Sequence, residues 1–216
     1  LKFNSNCERQ YSSFYGGSSH DVALGLTMDS YKNLYIVGYT NSTNLPTHNP
    51  LDGSYFDGTS NGGADEFLLE LDSNINMKWA TYLGGSSNER LNDVRVSPSD
   101  HVFAIGWTLS ANHPLQDLQP GVSYFDNTLN AQDAVIMKFI PCPENFDTIW
   151  APDSVCYGET IDIYATGSHT YTWNTGSTND SIQAVIVSDT SFSVIATYLT
   201  CIERDTVFIK VKPLPV

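Results

Sequence analysis

One feature of the chain constrains its fold more than any other: a long stretch repeats itself after 68 residues. The matching segments are 15–19 with 83–87, 35–40 with 103–108, and 67–71 with 135–139. The first of these pairs carries Gly-Gly-Ser-Ser in both copies. Agreement at one spacing over so many places indicates that a structural unit is repeated.

Each copy of the repeat has the pattern of an antiparallel sheet. The first complete copy predicts four strands, at about 22–28, 34–40, 66–71 and 77–82. The strand at 34–40 is apolar on both faces, which is typical of a strand covered on both sides. Gly38 and Gly106 are expected to let neighbouring sheets approach closely. The long Gly/Asn/Pro-rich segment 41–64 is expected at a sheet edge.

A four-stranded antiparallel sheet that repeats and is covered on both faces is typical of a propeller blade. One blade alone cannot bury both faces, so blades close into rings of at least about four. Residues 1–140 hold about two blades, and residues 1–3 align with a third strand. The sequence therefore predicts the C-terminal part of a longer propeller, or a propeller whose other blades come from elsewhere.

The composition changes after residue 140, where Pro-Cys-Pro interrupts the strand pattern. Residues 141–151 are interpreted as a linker or as the last strand of a blade. The segment Asn145–Trp150 fits both interpretations.

The alternation of apolar and polar residues over 152–212 predicts a small β-sandwich. Five short alternating strands and a sixth at Ser154–Cys156 are expected, with Trp173 filling the core. Residues 213–216 are expected to be a spacer to a further domain. The predicted fold class is all-β: about two four-stranded blades, strands of a preceding blade, and then the sandwich.

The N-terminal part resembles the SBBP-type β-propeller repeat. The Gly-Gly-Ser-Ser segments, Tyr35–Thr40, Leu45–Thr47 and Gly62–Leu71 carry the resemblance. Residues 152–216 resemble the Ig-like modules of large secreted and surface proteins of Bacteroidota. The segments behind that resemblance are Cys156–Glu159, Tyr171–Trp173, Cys201 and Pro213–Pro215.

These resemblances imply a setting outside the cell. Bacteroidota proteins of this kind are commonly exported by type IX secretion. The chain is accordingly expected to be extracellular or associated with the outer membrane of a Gram-negative cell. Adhesion during surface colonisation or gliding motility is the implied role.

The chain has four cysteines and no C-x-x-C pair, which excludes zinc ribbons and thioredoxin motifs. Cys156 and Cys201 bracket the sandwich, so a disulfide between them is predicted, with two buried free thiols as the alternative. Cys7 and Cys142 are expected to pair outside this chain or to stay free. A disulfide would indicate an oxidising compartment.

No motif for catalysis or for a cofactor is present. The sequence contains no G-x-S-x-G elbow, phosphate loop, H-x-x-x-H or H-E-x-x-H. The histidines, among them His48 and His113, are expected to be surface loop residues. Catalytic residues and cofactors are therefore predicted to be none.

Acidic residues recur at matched positions of the repeat. Asp57 matches Asp126, and Asp65 matches Asp133, which favours a structural role because an active site is normally unique. The Gly-rich loop 57–65 also concentrates oxygen donors of the kind that calcium prefers. These four aspartates are therefore weak calcium candidates, the alternative being loops whose Asp side chains cap their own backbone.

Four Asp-(Ser/Thr)-apolar triplets lie beyond residue 141 and are similar to the O-glycosylation motif of Bacteroidota. The predicted attachment residues are Thr148, Ser154, Ser181 and Thr206. Alternating strand edges could generate such triplets without any glycan.

A formal net charge of −14 and a pI of about 4.4 exclude the cationic footprint of a nucleic-acid binder. No apolar run approaches the ~20 residues of a membrane span. The predicted function is a non-catalytic adhesion or surface-display module. It would bind a protein or glycan through loops 41–64 and 109–132. The alternatives are a subunit that contributes a propeller to a secretion or surface assembly, and a glycan-active propeller enzyme.

Overall fold

A computed structural model describes residues 2–117, 120–121, 123–142, 149–167, 170–198 and 201–213. These residues form sixteen strands and no helix, which confirms the all-β prediction. No helix in these ranges could therefore cross a membrane. The strands are β1 (Lys2–Phe3), β2 (Arg9–Tyr11), β3 (Asp21–Met28), β4 (Leu34–Thr40), β5 (Asp65–Leu71), β6 (Met77–Leu83), β7 (Glu89–Val96), β8 (Val102–Thr108), β9 (Asp133–Phe139), β10 (Ile149–Trp150), β11 (Ser154–Cys156), β12 (Glu159–Ala165), β13 (Thr170–Trp173), β14 (Ser181–Ile186), β15 (Thr190–Tyr198) and β16 (Cys201–Lys212).

The chain divides into two compact units. The N-terminal unit comprises Leu1–Pro50 and Tyr55–Pro141, and the C-terminal unit comprises Leu51–Ser54 and Cys142–Val216. The short segment Leu51–Ser54 joins the C-terminal unit, where the Asp52 carbonyl accepts a hydrogen bond from the Ile202 amide at 2.7 Å.

The N-terminal unit repeats its strands at the spacing that the sequence shows. Its sheets have the orders β3-β4-β5-β6 and β7-β8-β9, and β1 pairs with β2. The four strands predicted for the first copy are confirmed, with antiparallel pairing throughout. We call residues 16–83 the first repeat and residues 84–139 the second repeat. Among the described residues, β9 pairs only with β8, so the fourth-strand position of the second repeat has no observed strand.

The two repeats pack face to face. Side chains alternate between the faces of a strand, and one face of the first repeat meets one face of the second in a shared core. The buried members are Tyr35, Val37, Leu68, Trp79 and Leu83 from the first repeat and Leu91, Val94, Val102 and Ala104 from the second. Burying each larger apolar side chain contributes roughly 1.5–3 kcal/mol. This core depends on both repeats being present.

The opposite face of the first repeat is covered only at β5 and β6, while Leu26 and Met28 of β3 remain exposed there. Phe67, Leu69, Ala80 and Tyr82 form a second cluster there with Leu45, which follows β4. On this face of β4, Leu34 and Ile36 are only half-buried, so the strand predicted to be covered on both sides is fully buried on one side and partly buried on the other.

Gly38 and Gly106 do not have the role that the sequence indicated. A Cβ at Gly38 would lie 1.9 Å from the carbonyl oxygen of Val22, which belongs to the neighbouring strand of the same sheet. At Gly106 the equivalent distance to the Arg90 oxygen is 2.0 Å. Both glycines lie beside β-bulges, so they accommodate distorted pairing within a sheet. The close approach between the repeats occurs instead at Gly25, whose Cβ would lie 2.9 Å from the Val94 nitrogen.

Four hairpin turns share one backbone conformation. In each, one residue has a positive φ: Cys7 (62°), Lys32 (73°), Ile75 (70°) and Asp100 (57°). The residue three positions earlier holds the turn through its side chain, as when Asp29 Oδ1 accepts from the Asn33 amide at 2.8 Å. The left-handed conformation is normally reserved for Gly or Asn, and here side-chain capping keeps other residues in it.

The long segment 41–64 lies along the outer edge of β6, so its predicted place at a sheet edge is confirmed. His48 and Ala80 exchange backbone hydrogen bonds at 2.9 and 3.0 Å, and the Tyr82 amide donates to the Asp57 carbonyl at 3.0 Å. The segment thus covers hydrogen-bonding groups that an edge strand would otherwise expose. Binding of a ligand through this segment stays a prediction.

The C-terminal unit consists of two sheets that share one core. The sheets have the orders β10-β12-β14 and β11-β16-β15-β13. Ile161, Ile163 and Ile186 of one sheet pack with Tyr171 and Trp173 of the other. The five alternating strands, the sixth strand at Ser154–Cys156 and the core position of Trp173 are all confirmed.

Ile149 and Trp150 pair with Ala165 and Tyr164 of β12. They therefore belong to the C-terminal unit and do not complete the second repeat. The rest of the segment that fitted both interpretations, residues 145–148, lies outside the described residues.

The predicted disulfide between Cys156 and Cys201 is wrong. Cys201 is bonded to Cys142, with a Cα–Cα distance of 5.4 Å, while Cys7 and Cys156 are exposed free cysteines. The register explains the error, because Cys156 pairs with Lys212 and Cys201 lies at the other end of β16. At about 3.3 Å per residue the two positions are roughly 36 Å apart along the strand, whereas a disulfide needs Cα atoms within about 7 Å.

We expect Cys142→Ser to lower the free energy of unfolding of the C-terminal unit by roughly 4 kcal/mol. The bond closes a loop with a sequence separation of 59 residues, and its loss restores chain entropy to the unfolded state. Chemical denaturation with free-thiol titration measures the effect. Cys156→Ser is the matched control and should change stability by less than about 0.5 kcal/mol. Equal losses from the two variants would contradict the pairing.

Candidate functional site

The Gly-Gly-Ser-Ser segments and the long loops lie at the same end of the sheets. Asp21 at the start of β3 pairs with Thr40 at the end of β4, and Glu89 pairs with Thr108 in the same way. The loop before one strand and the loop after the next therefore emerge together. We call this end of the N-terminal unit the loop end.

A carboxylate ties the loops of the first repeat together. Asp21 Oδ2 accepts hydrogen bonds from the Gly17 amide at 2.8 Å and from Ser42 Oγ at 3.0 Å. Asp21 Oδ1 accepts from the Thr40 hydroxyl. We call this arrangement and its counterpart in the second repeat the acid clasps.

The second repeat builds the same clasp around Glu89. Its carboxylate accepts from the Gly85 amide at 3.0 Å, from Thr108 Oγ1 at 3.2 Å and from the Ser110 hydroxyl. Glu89, Thr108 and Ser110 are all buried. An Asp in one repeat and a Glu in the other therefore perform the same task.

A serine and an asparagine complete each clasp. Ser42 Oγ accepts from the Ser19 amide at 2.8 Å, and Asn44 Oδ1 accepts from the amide and hydroxyl of Ser18, both at 2.9 Å. Ser110 and Asn112 make the equivalent bonds in the second repeat. A Cβ at Gly17 would lie 2.5 Å from Asn44 Oδ1, so this position requires glycine.

Sequence analysis identified the glycines and serines of the clasps but missed their partners. The signal was available, because Thr-x-Ser-x-Asn occurs at 40–44 and again at 108–112, at the spacing of the repeat. Asp21 and Glu89 also match at that spacing.

His113 is not the surface residue that its Pro-rich loop suggested. Its side chain is buried, and its Nε2 lies 3.2 Å from Glu66 Oε2, which is also buried. The pair joins the second repeat to the first. Burial raises the pKa of Glu66, and the hydrogen bond from His113 partly opposes that shift.

Asp57 and Asp65 hold their own loop. Asp57 Oδ1 accepts from the Thr59 amide at 2.9 Å, and Asp65 Oδ2 accepts from Ser60 Oγ at 2.6 Å. Asn61 bonds both carboxylates, through its amide to Asp65 and through its side chain to Asp57. Burial raises the pKa of Asp65. These contacts agree with the alternative in which the aspartates cap their own backbone.

Asp126 and Asp133 act similarly in the second repeat. Asp126 Oδ1 accepts from the Thr128 amide at 2.8 Å, and Asp133 Oδ2 accepts from the Asn130 amide at 3.0 Å. Within the described ranges, no three His, Cys, Asp or Glu side chains converge as a metal site. The calcium hypothesis for the four aspartates stays a prediction.

The predicted glycosylation residues are dispersed over the C-terminal unit. Ser154 and Ser181 are half-buried in strands, Thr206 is exposed on β16, and Thr148 lies outside the described residues. Asp205 Oδ2 accepts from the Ile149 amide at 2.9 Å, which gives this acid a structural task. Glycan attachment stays a prediction.

Two surface features are available to a partner, and the first of them lies at the loop end. An open depression of about 380 Å³ is lined by Phe14, Tyr15 and Asp21 together with Gly16, Gly17, Ser19 and His20. In the loop after β8, Tyr124 is 93% exposed. Large exposed aromatic side chains are frequent contact residues.

A comparison with protein families finds a match for one stretch of the N-terminal unit. Residues 9–46 match the SBBP beta-propeller repeat. The match covers β2, β3 and β4, and the 68-residue spacing carries the same pattern into the second repeat. A comparison with curated proteins finds no match. The family match supports a β-propeller-type repeat in the N-terminal unit.

We expect Ser110→Ala to lower the free energy of unfolding by about 2 kcal/mol. The change leaves the Ser87 amide and the buried Glu89 carboxylate each without one partner, and an unsatisfied buried group costs about 1–3 kcal/mol. Urea denaturation measures the loss. Ser73→Ala, at an exposed turn position, is the control and should stay within about 0.5 kcal/mol. A cost for Ser73→Ala as large as that for Ser110→Ala would contradict the clasp.

Glu66→Gln should stabilise the protein at neutral pH. Burial raises the pKa of Glu66 above the ordinary 4.5, so its contribution to stability is full below that value and is lost as pH rises through the raised pKa. Glutamine keeps an oxygen for His113 and removes the ionised form. The advantage over the natural chain should therefore shrink towards about pH 4.

Urea denaturation at several pH values measures the difference in the free energy of unfolding between Glu66→Gln and the natural chain. Asp153→Asn, which removes an exposed carboxyl group, is the control and should show no such trend. A stability advantage of Glu66→Gln that grew as the pH fell would contradict the burial of an ionisable Glu66.

Proposed function

We propose that the chain is a non-catalytic module of a secreted or cell-surface bacterial protein, and that it serves in adhesion or surface display. The N-terminal unit is the rigid propeller-type platform. The C-terminal unit is an Ig-like spacer of the kind found in surface proteins of Bacteroidota exported by type IX secretion.

The acid clasps are the observation that carries this proposal. The carboxylates at matched positions accept hydrogen bonds from the loops around them, and they do so in both repeats. An active site normally concentrates unlike groups at one unique place, whereas here polar side chains recur and hold loops. This use of acidic residues supports a scaffold whose loop end is its working surface.

The disulfide supports a location outside the cytoplasm. Cys142 and Cys201 are bonded, and such bonds persist in oxidising compartments. The association with the outer membrane of a Gram-negative cell and the role in gliding rest on the resemblance to Bacteroidota proteins.

Exposed aromatic side chains of the loops favour a glycan or protein ligand. Tyr124 is nearly fully exposed, and an aromatic ring supplies a large contact area with few rotatable bonds. The net charge of −14 disfavours anionic ligands. Neutral polysaccharides are therefore the first class to test.

A second candidate function is a subunit that completes a propeller with another chain. The apolar outer faces of the two repeats favour it, because Leu26 on one and Ile136 on the other are exposed. No comparable observation favours a glycan-active enzyme.

The test is to incubate the full chain with a panel of neutral polysaccharides and to measure both binding and the release of reducing ends. We expect reversible binding without products, and at least about tenfold weaker binding for Tyr124→Ala. Tyr31→Ala is the matched control, because Tyr31 is an exposed aromatic residue in the turn at the opposite end of the sheet. Sustained product release would overturn the non-catalytic proposal, and unchanged binding by Tyr124→Ala would overturn the assignment of the loop after β8 as a binding surface.

A further inference from the structure

Three positions that are buried in the first repeat are exposed in the second. Tyr35, Val37 and Leu68 are fully buried against the second repeat. Their equivalents at the 68-residue spacing are 39%, 50% and 78% exposed, and they are Phe103, Ile105 and Ile136. The second repeat therefore presents an apolar face of the kind that the first repeat buries.

The first repeat presents the complementary face. Val94 of the second repeat is 1% exposed because it packs on the first repeat, whereas its equivalent Leu26 is 59% exposed. Met28, the equivalent of the partly buried Val96, is also exposed. The outer face of the second repeat thus matches the first-repeat side of the internal interface. The outer face of the first repeat matches the second-repeat side.

We propose that these two faces bind each other between two copies of the chain. The outer face of the second repeat of one copy docks on the outer face of the first repeat of the next, in the register of the internal interface. The proposal rests on the proposed function of a propeller-type interaction module. Because the two surfaces differ, the contact is head-to-tail, and successive copies form a closed ring if the rotation between them allows it.

The polar pair of the internal interface supports this register. Glu66 contacts His113 between the two repeats, and at the equivalent positions the chain carries Ala134 and Leu45. Both members of the pair change from ionisable to apolar. Burying an unpaired charge would be costly, and docking in this register buries none at these two positions.

The sheet edges also complement each other. Among the residues that the structure describes, the outer edge of β9 has no partner strand, and β2 aligns with β6, which is the fourth strand of the first repeat. In the docked register, β2 of one copy lies where the second repeat of the other needs its fourth strand. β1, the partner of β2 in the single chain, has only two residues, and both are exposed. In the docked register β9 of the other copy replaces β1 as the partner of β2.

Two differences make the proposed contact weaker than the internal one. Gly25, where the repeats approach closely, has Asp93 as its equivalent. Gly62 and Gly63, which lie against the second repeat without room for a Cβ, correspond to Asn130 and Ala131. The association should therefore be reversible, with a Kd on the order of micromolar.

The experiment is sedimentation velocity on the full chain and on two variants, Leu26→Asp and Ile136→Asp. Both positions are exposed in the single chain, so the fold is retained, which circular dichroism checks. The natural chain should show concentration-dependent association, and each variant alone should be monomeric. An equimolar mixture should form a dimer, because the intact second-repeat face of Leu26→Asp meets the intact first-repeat face of Ile136→Asp.

Val185→Asp, a comparably exposed position in the C-terminal unit, is the control and should associate like the natural chain. A monomeric natural chain, or a mixture that stays monomeric, would overturn the proposal. Association that survives in either variant would overturn it as well.

Polysaccharide binding is measured on the natural chain as well as on the monomeric variants, and the result for the natural chain separates this proposal from the proposed function. Intact binding without self-association rejects the interface alone. Self-association without binding or product release supports the interface and rejects the adhesive role alone.

Discussion

A sheet that is apolar on both faces must be covered on both, and the architecture of the N-terminal unit depends on that constraint. The middle strand β5 is buried from either side, on one side by the second repeat and on the other by Leu45 and its neighbours, whereas β4 is half-buried on that outer side. A single repeat could not bury these side chains by itself. Repetition of the sequence is thus a direct consequence of how apolar its strands are.

The acid clasps solve a second problem that stacking creates. Packed sheets need their loops held in one conformation, because the loops of one repeat lie against the next. Asp21 and Glu89 do this with ionisable groups that accept several hydrogen bonds, and glycines make room for them. The buried acids are thereby part of the scaffold, and the exposed loop residues are left to make outside contacts.

The fold was largely predictable because its signals are periodic. The strand boundaries, the sheet-edge segment and the six strands of the C-terminal unit follow from alternation and from turn residues. The disulfide was not predictable, because Cys156 and Cys201 each lie at a strand end and bracket the C-terminal unit in the sequence. Only the parallel register of β11 on β16 shows that opposite ends of a long strand separate them. The buried position of His113 was also hidden, since the loop composition says nothing about the Glu66 carboxylate beneath it.

The shared hairpin turn has a practical consequence. Its backbone is fixed by the side chain three residues before the positive-φ position, so that position itself tolerates chemically different residues, including Cys7 and Lys32. Both of these residues are exposed to solvent at the ends of separate hairpins. Once Cys156, the other exposed free cysteine, is replaced by Ser, Cys7 can carry a fluorophore or spin label without altering the architecture that the probe would report on.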